Sequence, residues 1–357
     1  VWLPLPSFCR HNRLLHTCPI CSREQSVELR PVVSSGAPKA AAAPKSRPDG
    51  GRARAGGAHG AGTRTGAGAA RRTSSDSRST AVRHGSAGIR VRHLARGAED
   101  GYHSALVPGL RSSADADRLA RELAFAALRL DVLESEPPGL YAEVAAPAGD
   151  LEERTWLGFL IAYLGPLEGE QPYSEIESVR TTWHSGELPD LDGVQTGPRG
   201  IHDRERGEAT IEAYRGWAMR AGSQAAAFNG ESSWTPERRF ARAFERLALP
   251  GMNRDGRFEL LVLLGRLGCY EMRAGTLALG GENQATLAAK RALGIGDTML
   301  LERRAAELAR ACEVPLEALD LGLHNWGTGR RVGAGVRTDA EPDAATLAAA
   351  RAALGCI

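Results

Sequence analysis

The chain has 357 residues with 45 Lys/Arg, 43 Asp/Glu and six cysteines, enough for one sizeable folded domain or two small ones. Its net charge of +2 hides a division: residues 31–98 hold 13 Lys/Arg against Asp49 and Asp76, whereas residues 99–357 hold 28 basic against 39 acidic side chains. No apolar run approaches the ~18 residues of a membrane span, and Val1-Trp-Leu-Pro-Leu-Pro is too short for a signal-peptide core. Three cysteines cluster before residue 22 while Cys269, Cys312 and Cys356 stand alone, which argues against a disulfide-stapled secreted domain and for a reducing cytoplasm.

Residues 9–21 read Cys-Arg-His-Asn-Arg-Leu-Leu-His-Thr-Cys-Pro-Ile-Cys. In the CxxC of Cys18 and Cys21 a tight turn converges two thiolates on one ion, and tetrahedral Zn²⁺ takes two further ligands. Cys9 supplies the third and His11 or His16 the fourth. His11 is expected, because Cys9-x-His11 presents a second close pair to the first. A redox role would need a strand–helix unit around the CxxC. With protein filling all four positions, residues 1–30 read as a structural zinc knuckle.

Residues 31–98 are largely Ala, Gly, Ser, Arg and Pro, too poor in large apolar side chains to offset the entropy of ordering, so a disordered linker is expected. Its charge suits a nucleic-acid-seeking arm as well as a solvated tether. Ile89 to Leu94 reads as a short strand or extended segment.

From residue 99 the pattern is all-α. Ser112-x-x-Asp115 resembles a capping box ahead of Leu119, Leu123, Ala126, Leu130 and Leu133, and Pro137-Pro138-Gly139 ends that helix. Asp150 with Glu153 opens a second helix with Trp156, Phe159, Leu160 and Tyr163 on one face, stopped by Gly165-Pro166. A third is expected over Tyr173 to His184, then a long loop over 185–207, then one helix from Ile211 to Phe228. Thr235-Pro-Glu caps a helix carrying Phe240, Phe244 and Leu247. It breaks at Leu249-Pro-Gly-Met-Asn253 before a second apolar helix through Phe258, Leu261, Val262 and Leu264. Another helix, Thr286 to Leu293, breaks at Gly294-Ile-Gly-Asp297 before one more to about Ala311. Leu319 to Gly327 follows, and a peripheral Ala-rich helix, Ala344 to Leu354, closes the chain. The division expected is a body over 99–340, with a helix-hairpin-helix-like core at 235–335, and a C-terminal helix in 341–357.

A hairpin between helices leaves the second helix's first amides unpaired, and glycine lets a phosphate approach them. The first corner offers Gly251, Asn253, Arg254 and Arg257, with Arg238 and Arg239 on the preceding helix. The second offers Gly294 and Gly296 after Lys290 and Arg291. Cations beside such amides suit DNA-backbone contact, which positions without reading sequence. Each corner alone is also an ordinary helix stop; the pair in order is what points to nucleic acid. Among acids and bases, Glu282, Asp320 and His324 are catalytic candidates, Asp320 and His324 lying four apart on one helix face. Asp297 reads better as a helix cap, and Trp326 as a core residue more than a base-stacking one. Gly327 to Gly335 lacks the strand and Gly-Lys-Ser/Thr of a P-loop and reads as a surface loop with Arg330 and Arg331 in reach of a phosphate.

Leu249-Pro-Gly-Met-Asn, Thr286-Leu-Ala-Ala-Lys-Arg-Ala-Leu-Gly-Ile-Gly and Leu316-Glu-Ala-Leu-Asp-Leu-Gly-Leu-His-Asn-Trp-Gly together resemble the order of elements in the helix-hairpin-helix DNA glycosylase superfamily. The resemblance covers about a hundred residues of the body. It departs from that family where a catalytic aspartate should lead the helix at Thr286: this chain has Glu282-Asn-Gln-Ala. Within the superfamily the chain is most similar to the alpha-glutamyl/putrescinyl thymine pyrophosphorylase group (clade 3-like). That resemblance implies thymine hypermodification in DNA, an amine displacing pyrophosphate from a modified base, with no N-glycosidic bond cut. Cations would then steady the departing pyrophosphate, an acid/base would deprotonate the amine, and the base would be extruded from the stack.

Two function classes follow: a DNA-acting enzyme on a glycosylase-like scaffold, or a non-enzymatic adaptor whose zinc knuckle and basic linker bring a helical body to nucleic acid or to a protein. The acidic body favours the second unless its cations gather on one face. DNA is the expected partner, and no membrane is. For the knuckle, the purified chain is expected to hold one Zn²⁺ by metal analysis, and Cys18→Ser to lose it while the helical circular-dichroism signal stays. Loss of that signal on chelation would make the knuckle part of the core.

Overall fold

The computed structural model describes residues 99–356. The knuckle residues Cys9, His11, Cys18 and Cys21, the linker and the 89–94 segment lie outside the described residues. Those described form helices α1 (Ser113–Ser135), α2 (Leu140–Ala145), α3 (Leu151–Leu164), α4 (Ser174–Val179), α5 (Gly207–Arg220), α6 (Gln224–Asn229), α7 (Pro236–Arg246), α8 (Arg254–Arg266), α9 (Gln284–Leu293), α10 (Thr298–Ala311), α11 (Ala318–Thr328) and α12 (Ala344–Leu354). No strand occurs among them, so the all-α expectation holds for this region. None of these helices is long and apolar enough to cross a membrane.

Local chemistry sets the helix ends. The Thr235 hydroxyl accepts from the Arg238 amide, with Pro236 beside it in the first turn. Asp150 accepts from the Glu152 and Glu153 amides at the start of α3. Asp297 caps α10 through the Leu300 amide, the role its position suggested. At α1 the expected capping box does not form: Ser112 makes no side-chain cap. The carboxylate of Asp100, thirteen residues before Ser113, takes the Ser113 amide at 3.0 Å and its hydroxyl at 2.5 Å. A charged acceptor satisfies an end amide and the helix dipole together, where a serine hydroxyl does only the first.

Two expected helices come out shorter. The one expected over 211–228 divides into α5 and α6 because Gly222 turns to φ +95° and Ser223 caps a fresh start through the Ala226 amide. The one expected over 173–184 ends at Val179. Beyond it, the Trp183 and His184 amides donate to Glu153 at 2.9 and 3.2 Å, a pairing with α3 that replaces further helical turns. The hexapeptide α2 has too few residues to show a helical period.

Packing falls into two groups. In one, α11 lies along α1, α9 packs on α11, α10 folds back on both, and α12 runs against α1. In the other, α3 is central, flanked by α8, α2 and α6, with α5 on α6 and α7 on α8. α1 touches α8 where the groups meet. The second group is filled by rings: Phe159 stacks on Tyr214 at 3.8 Å and on Trp156 at 5.3 Å, and Trp183 and Trp217 complete the cluster. Each fully buried large side chain is worth about 1.5–3 kcal/mol. The first group buries Trp326, Phe125 and most leucines of α1, and sets its closest helix approach with a small residue. A Cβ placed on Gly327 would sit 2.7 Å from the Cβ of Ala288, so glycine sets the α9–α11 spacing. Gly327→Ala is expected to lower stability by about 1–3 kcal/mol, the usual penalty for overpacking, read as a lower urea midpoint at unchanged m-value.

Candidate functional site

Four pieces of chain meet at a buried row of charges. Arg129 of α1 ion-pairs with Glu259 of α8. Glu259 lies 3.8 Å from Arg199, whose Nη2 donates to Asp320 of α11 at 2.6 Å. The other Asp320 oxygen is taken by Arg254, which also reaches Asp255 at 3.1 Å and the Leu277 carbonyl, and lies over the Phe258 ring. Arg129, Arg199, Arg254, Glu259 and Asp320 are all buried.

Arg199 comes from the loop between α4 and α5, and glycines bring it in. The Gly197 amide donates to the Leu164 carbonyl at 2.9 Å and the Ile201 amide to Tyr163 at 2.8 Å. Side chains at Gly197 or Gly200 would collide with the backbone of Pro166 or Leu164. The loop can therefore lie flat on the end of α3, with Arg199 turned inward.

Burial alone would push the Asp320 carboxyl up. Arg254 and then Arg199 outweigh it and hold the group below the usual carboxylate range, at about 2. It is ionised across the ordinary pH range and a poor proton acceptor. His324 stands one turn along α11, and the Asp320 oxygens are taken by Arg199 and Arg254. Burial, with the nearby Arg199 charge, drives His324 from 6.5 down to about 4 against the pull of Asp320, so its ring is neutral at pH 7. Two buried nitrogens here, Arg199 Nη1 and His324 Nδ1, have no hydrogen-bond partner among the described residues.

The first corner is turned into the protein. Any side chain at Gly251, φ +77°, would run into Thr210 of α5, and Asn253 caps α8 through the Gly256 amide at 3.0 Å. Arg254 is in the ionic row. Arg257 lies over Phe244 and donates to the Phe244 carbonyl. Arg239 is buried on the carbonyls of Asn229 and Glu271. Of the cations expected to hold phosphate there, Arg238 alone is exposed, lying over Trp234. The other three depart from the outward placement expected of them, because helix period does not reveal which arginine meets a ring, a carbonyl or a carboxylate of the protein itself.

The second corner is open. Gly294, φ +66°, and Gly296 are exposed, and a Cβ at Gly296 would meet nothing within 4 Å. Lys290 is half-buried beside it, while Arg291 stacks on Trp326 at 3.9 Å. Trp326 is fully buried and donates to the Asp115 carbonyl, a core residue as its surroundings implied. The corner is braced by the Gly109 amide on the Ala292 carbonyl.

In the Gly327–Gly335 segment Arg330 is exposed, as a surface loop was expected to place it, and Arg331 is half-buried. Arg330 pairs with Glu168 and Arg331 with Glu122, and the Ala334 carbonyl accepts from Arg129 Nε and the Tyr141 hydroxyl at 3.0 Å each. Glu282 is exposed in the turn before α9, outside the ionic row. The structure thus joins Asp320, His324 and Arg254, and leaves Glu282, Arg238, Arg239, Lys290 and Arg291 apart from them. Sequence reasoning passes over Arg199, Glu259 and Arg129. The signal was present: a single charge inside an apolar helix face (Glu259 among Phe258 to Leu264, Arg129 beside Leu130), and an arginine bracketed by Gly197 and Gly200. Among the described residues no group of three His, Cys, Asp or Glu side chains could hold a metal ion.

The lowered His324 value fixes a pH dependence. The unfolded chain takes up the His324 proton near pH 6.5 and the folded chain only near 4, so stability falls as pH drops through that window, by at most about 1.4 kcal/mol per unit. Asp320, held at about 2 against an ordinary 3.8, adds slope of the same sign only toward the acid end of that window. In urea unfolding between pH 7 and 4.5, His324→Leu is expected to lose the His324 part of this slope. Comparison with protein-family models, with curated proteins and with solved structures gives no match for this chain.

Proposed function

We propose that the chain acts on DNA and meets the sugar-phosphate backbone at its second corner. The observation that supports this most is that Gly294 and Gly296 are exposed between α9 and α10 beside Lys290, so that a phosphate can come close to the backbone there, next to the Asp297 cap of α10. Residues 31–98, with their excess of 11 positive charges, would supply the longer-range attraction that the acidic body does not. Following the resemblance to the thymine pyrophosphorylase group, the reaction proposed is displacement of pyrophosphate from a modified thymine by an amine. The N–C bond forms as the C–O bond to pyrophosphate breaks, and the amine's proton passes to solvent. Arg199 and Arg254 are the cations set closest to His324 and Asp320. A non-enzymatic adaptor is the second reading, favoured by the inward placement of Arg239 and Arg254, which removes cations from the surface.

The tests separate binding from chemistry. In a mobility-shift titration the full chain is expected to bind duplex or single-stranded DNA with an affinity that falls as salt rises. Gly296→Glu, which fits without collision, should weaken it about tenfold by setting a carboxylate beside phosphate. Absence of salt-dependent binding would remove the DNA reading. DNA bearing pyrophosphorylated 5-hydroxymethyl-uracil, given an amine, should release pyrophosphate; binding without release would leave the adaptor.

A further inference from the structure

Arg238, Arg242 and Arg246 stand at every fourth position of α7, and all three are exposed. That period puts them on one helix face, with about 6 Å of rise between neighbours. Arg242 pairs with Glu245 at 2.9 Å on the surface, and a pair of that kind is weakly held. The guanidiniums of Arg238 and Arg246 make no ion pair among the described residues. Each lies instead over the ring of Trp234, 5.6 and 5.4 Å from its centroid.

Trp234 is a fixed seat for them. It is buried, and Gly230, at φ +61°, closes on it: a Cβ there would lie 2.3 Å from the ring. Its carbonyl accepts from the buried Arg239 at 3.4 Å, and its amide donates to the Glu231 carbonyl at 3.1 Å. Two heads over one centroid are at most about 11 Å apart. An arginine resting on a ring has given up part of its side-chain freedom before a ligand arrives, so less is lost when its N–H fork closes on an oxyanion.

The charge selects the occupant. Residues 99–357 are acidic in sum, yet this face holds two cations that no carboxylate of the described residues neutralises. Cations repeating along a helix match an anion that repeats at a fixed interval. Phosphates do so, every ~3.4 Å along the axis for each strand of a duplex, whereas the carboxylates of an acidic polypeptide recur at no set spacing. A guanidinium fork also meets phosphate oxygens two at a time.

We propose that the Arg238–Arg242–Arg246 face of α7 is a second contact for the sugar-phosphate backbone, Arg238 and Arg246 each closing on a phosphate and Arg242 joining them when it leaves Glu245. The inference rests on the DNA reading for its occupant. Its residues belong to α7 and not to the α9–α10 corner, so the two contacts can be removed separately.

The test is a mobility-shift titration of the full chain on duplex DNA at several salt concentrations. Arg238→Gln and Arg246→Gln are each expected to flatten the slope of log affinity against log salt by about 0.9 and to weaken binding roughly eightfold at 0.1 M salt, the loss of one phosphate contact. The thermal midpoint should not move, since both side chains are exposed. Arg238→Lys and Arg246→Lys keep the charge and lose the fork, so the slope should stay while affinity falls. Arg220→Gln, which removes an exposed arginine from α5, should leave the slope as it was. Binding whose slope survives both glutamine variants would overturn the α7 contact and leave the DNA reading standing. An equal loss in Arg220→Gln would overturn it too, as would poly-glutamate binding more tightly than duplex at equal charge. No salt-dependent DNA binding at all would remove both.

Discussion

The structure turns on Asp320 held between two arginines from different parts of the chain. Moving a carboxylate and guanidiniums out of water costs several kcal/mol for each ion, and their attraction repays it only when geometry and hydrogen bonds are complete. Here Asp320 gives both oxygens to Arg199 and Arg254, Glu259 bridges Arg129 and Arg199, and Arg254 is further held by the carbonyls of Leu277 and Ala278. α1, α8, α11 and the 197–202 loop cannot slide past one another without stranding a buried charge. The row thereby fixes how the α11 group of helices sits on the α3 group, which apolar contact alone leaves less specified. It also sets the protonation of the site: Asp320 is held ionised and His324 is held neutral.

The two glycine corners look alike in sequence and differ in placement for a physical reason. Gly251 has Thr210 against it and Gly256 has Ile201, so α5 and the loop carrying Arg199 cover the first corner, and Arg254 turns inward to Asp320. Nothing stands against Gly296; only the 108–109 turn braces its neighbour Gly294. One motif therefore builds the interior and the other remains on the surface. A symmetric DNA contact through both corners is incompatible with this arrangement, and the proposal for DNA accordingly rests on one.

Much of the fold was legible. Wherever an apolar period of three or four ran between a capping residue and a glycine or proline, as at Thr235, Asp150 and Asp297, a helix formed within a few residues of the expected place. The misreadings share a cause: a distant group competed with a local one. Asp100 displaced the Ser112 cap, Glu153 took the amides that would have extended α4, and Gly222 chose a left-handed turn that Ser223 then capped. The site was half legible. Asp320 and His324 stand four apart on one face, which sequence shows, but their partners arrive from Arg199 and Arg254, over sixty residues away, which periodicity cannot show. Arginine is also ambiguous by nature, since its aliphatic stem and planar head suit a solvated face, an aromatic ring or a buried carboxylate equally well.

That ambiguity bears on electrostatics. The folded body carries more acids than bases, and several of its arginines are bound within it: Arg331 on Glu122, Arg266 on Glu134 and Glu317, Arg239 on carbonyls. Counting charges along the chain therefore overstates the positive surface the body can offer. A phosphate backbone would be met first by residues 31–98, whose charge is uncompensated in sequence, and only then by a local patch small enough to escape the acidic surroundings. Between charges more than about 8 Å apart at physiological salt the interaction is largely screened, so a phosphate proposed at the second corner would meet mainly Lys290 and the exposed Asp297 carboxylate, which already takes the Leu300 amide. Affinity of the proposed kind would depend on residues 31–98 and the corner acting together.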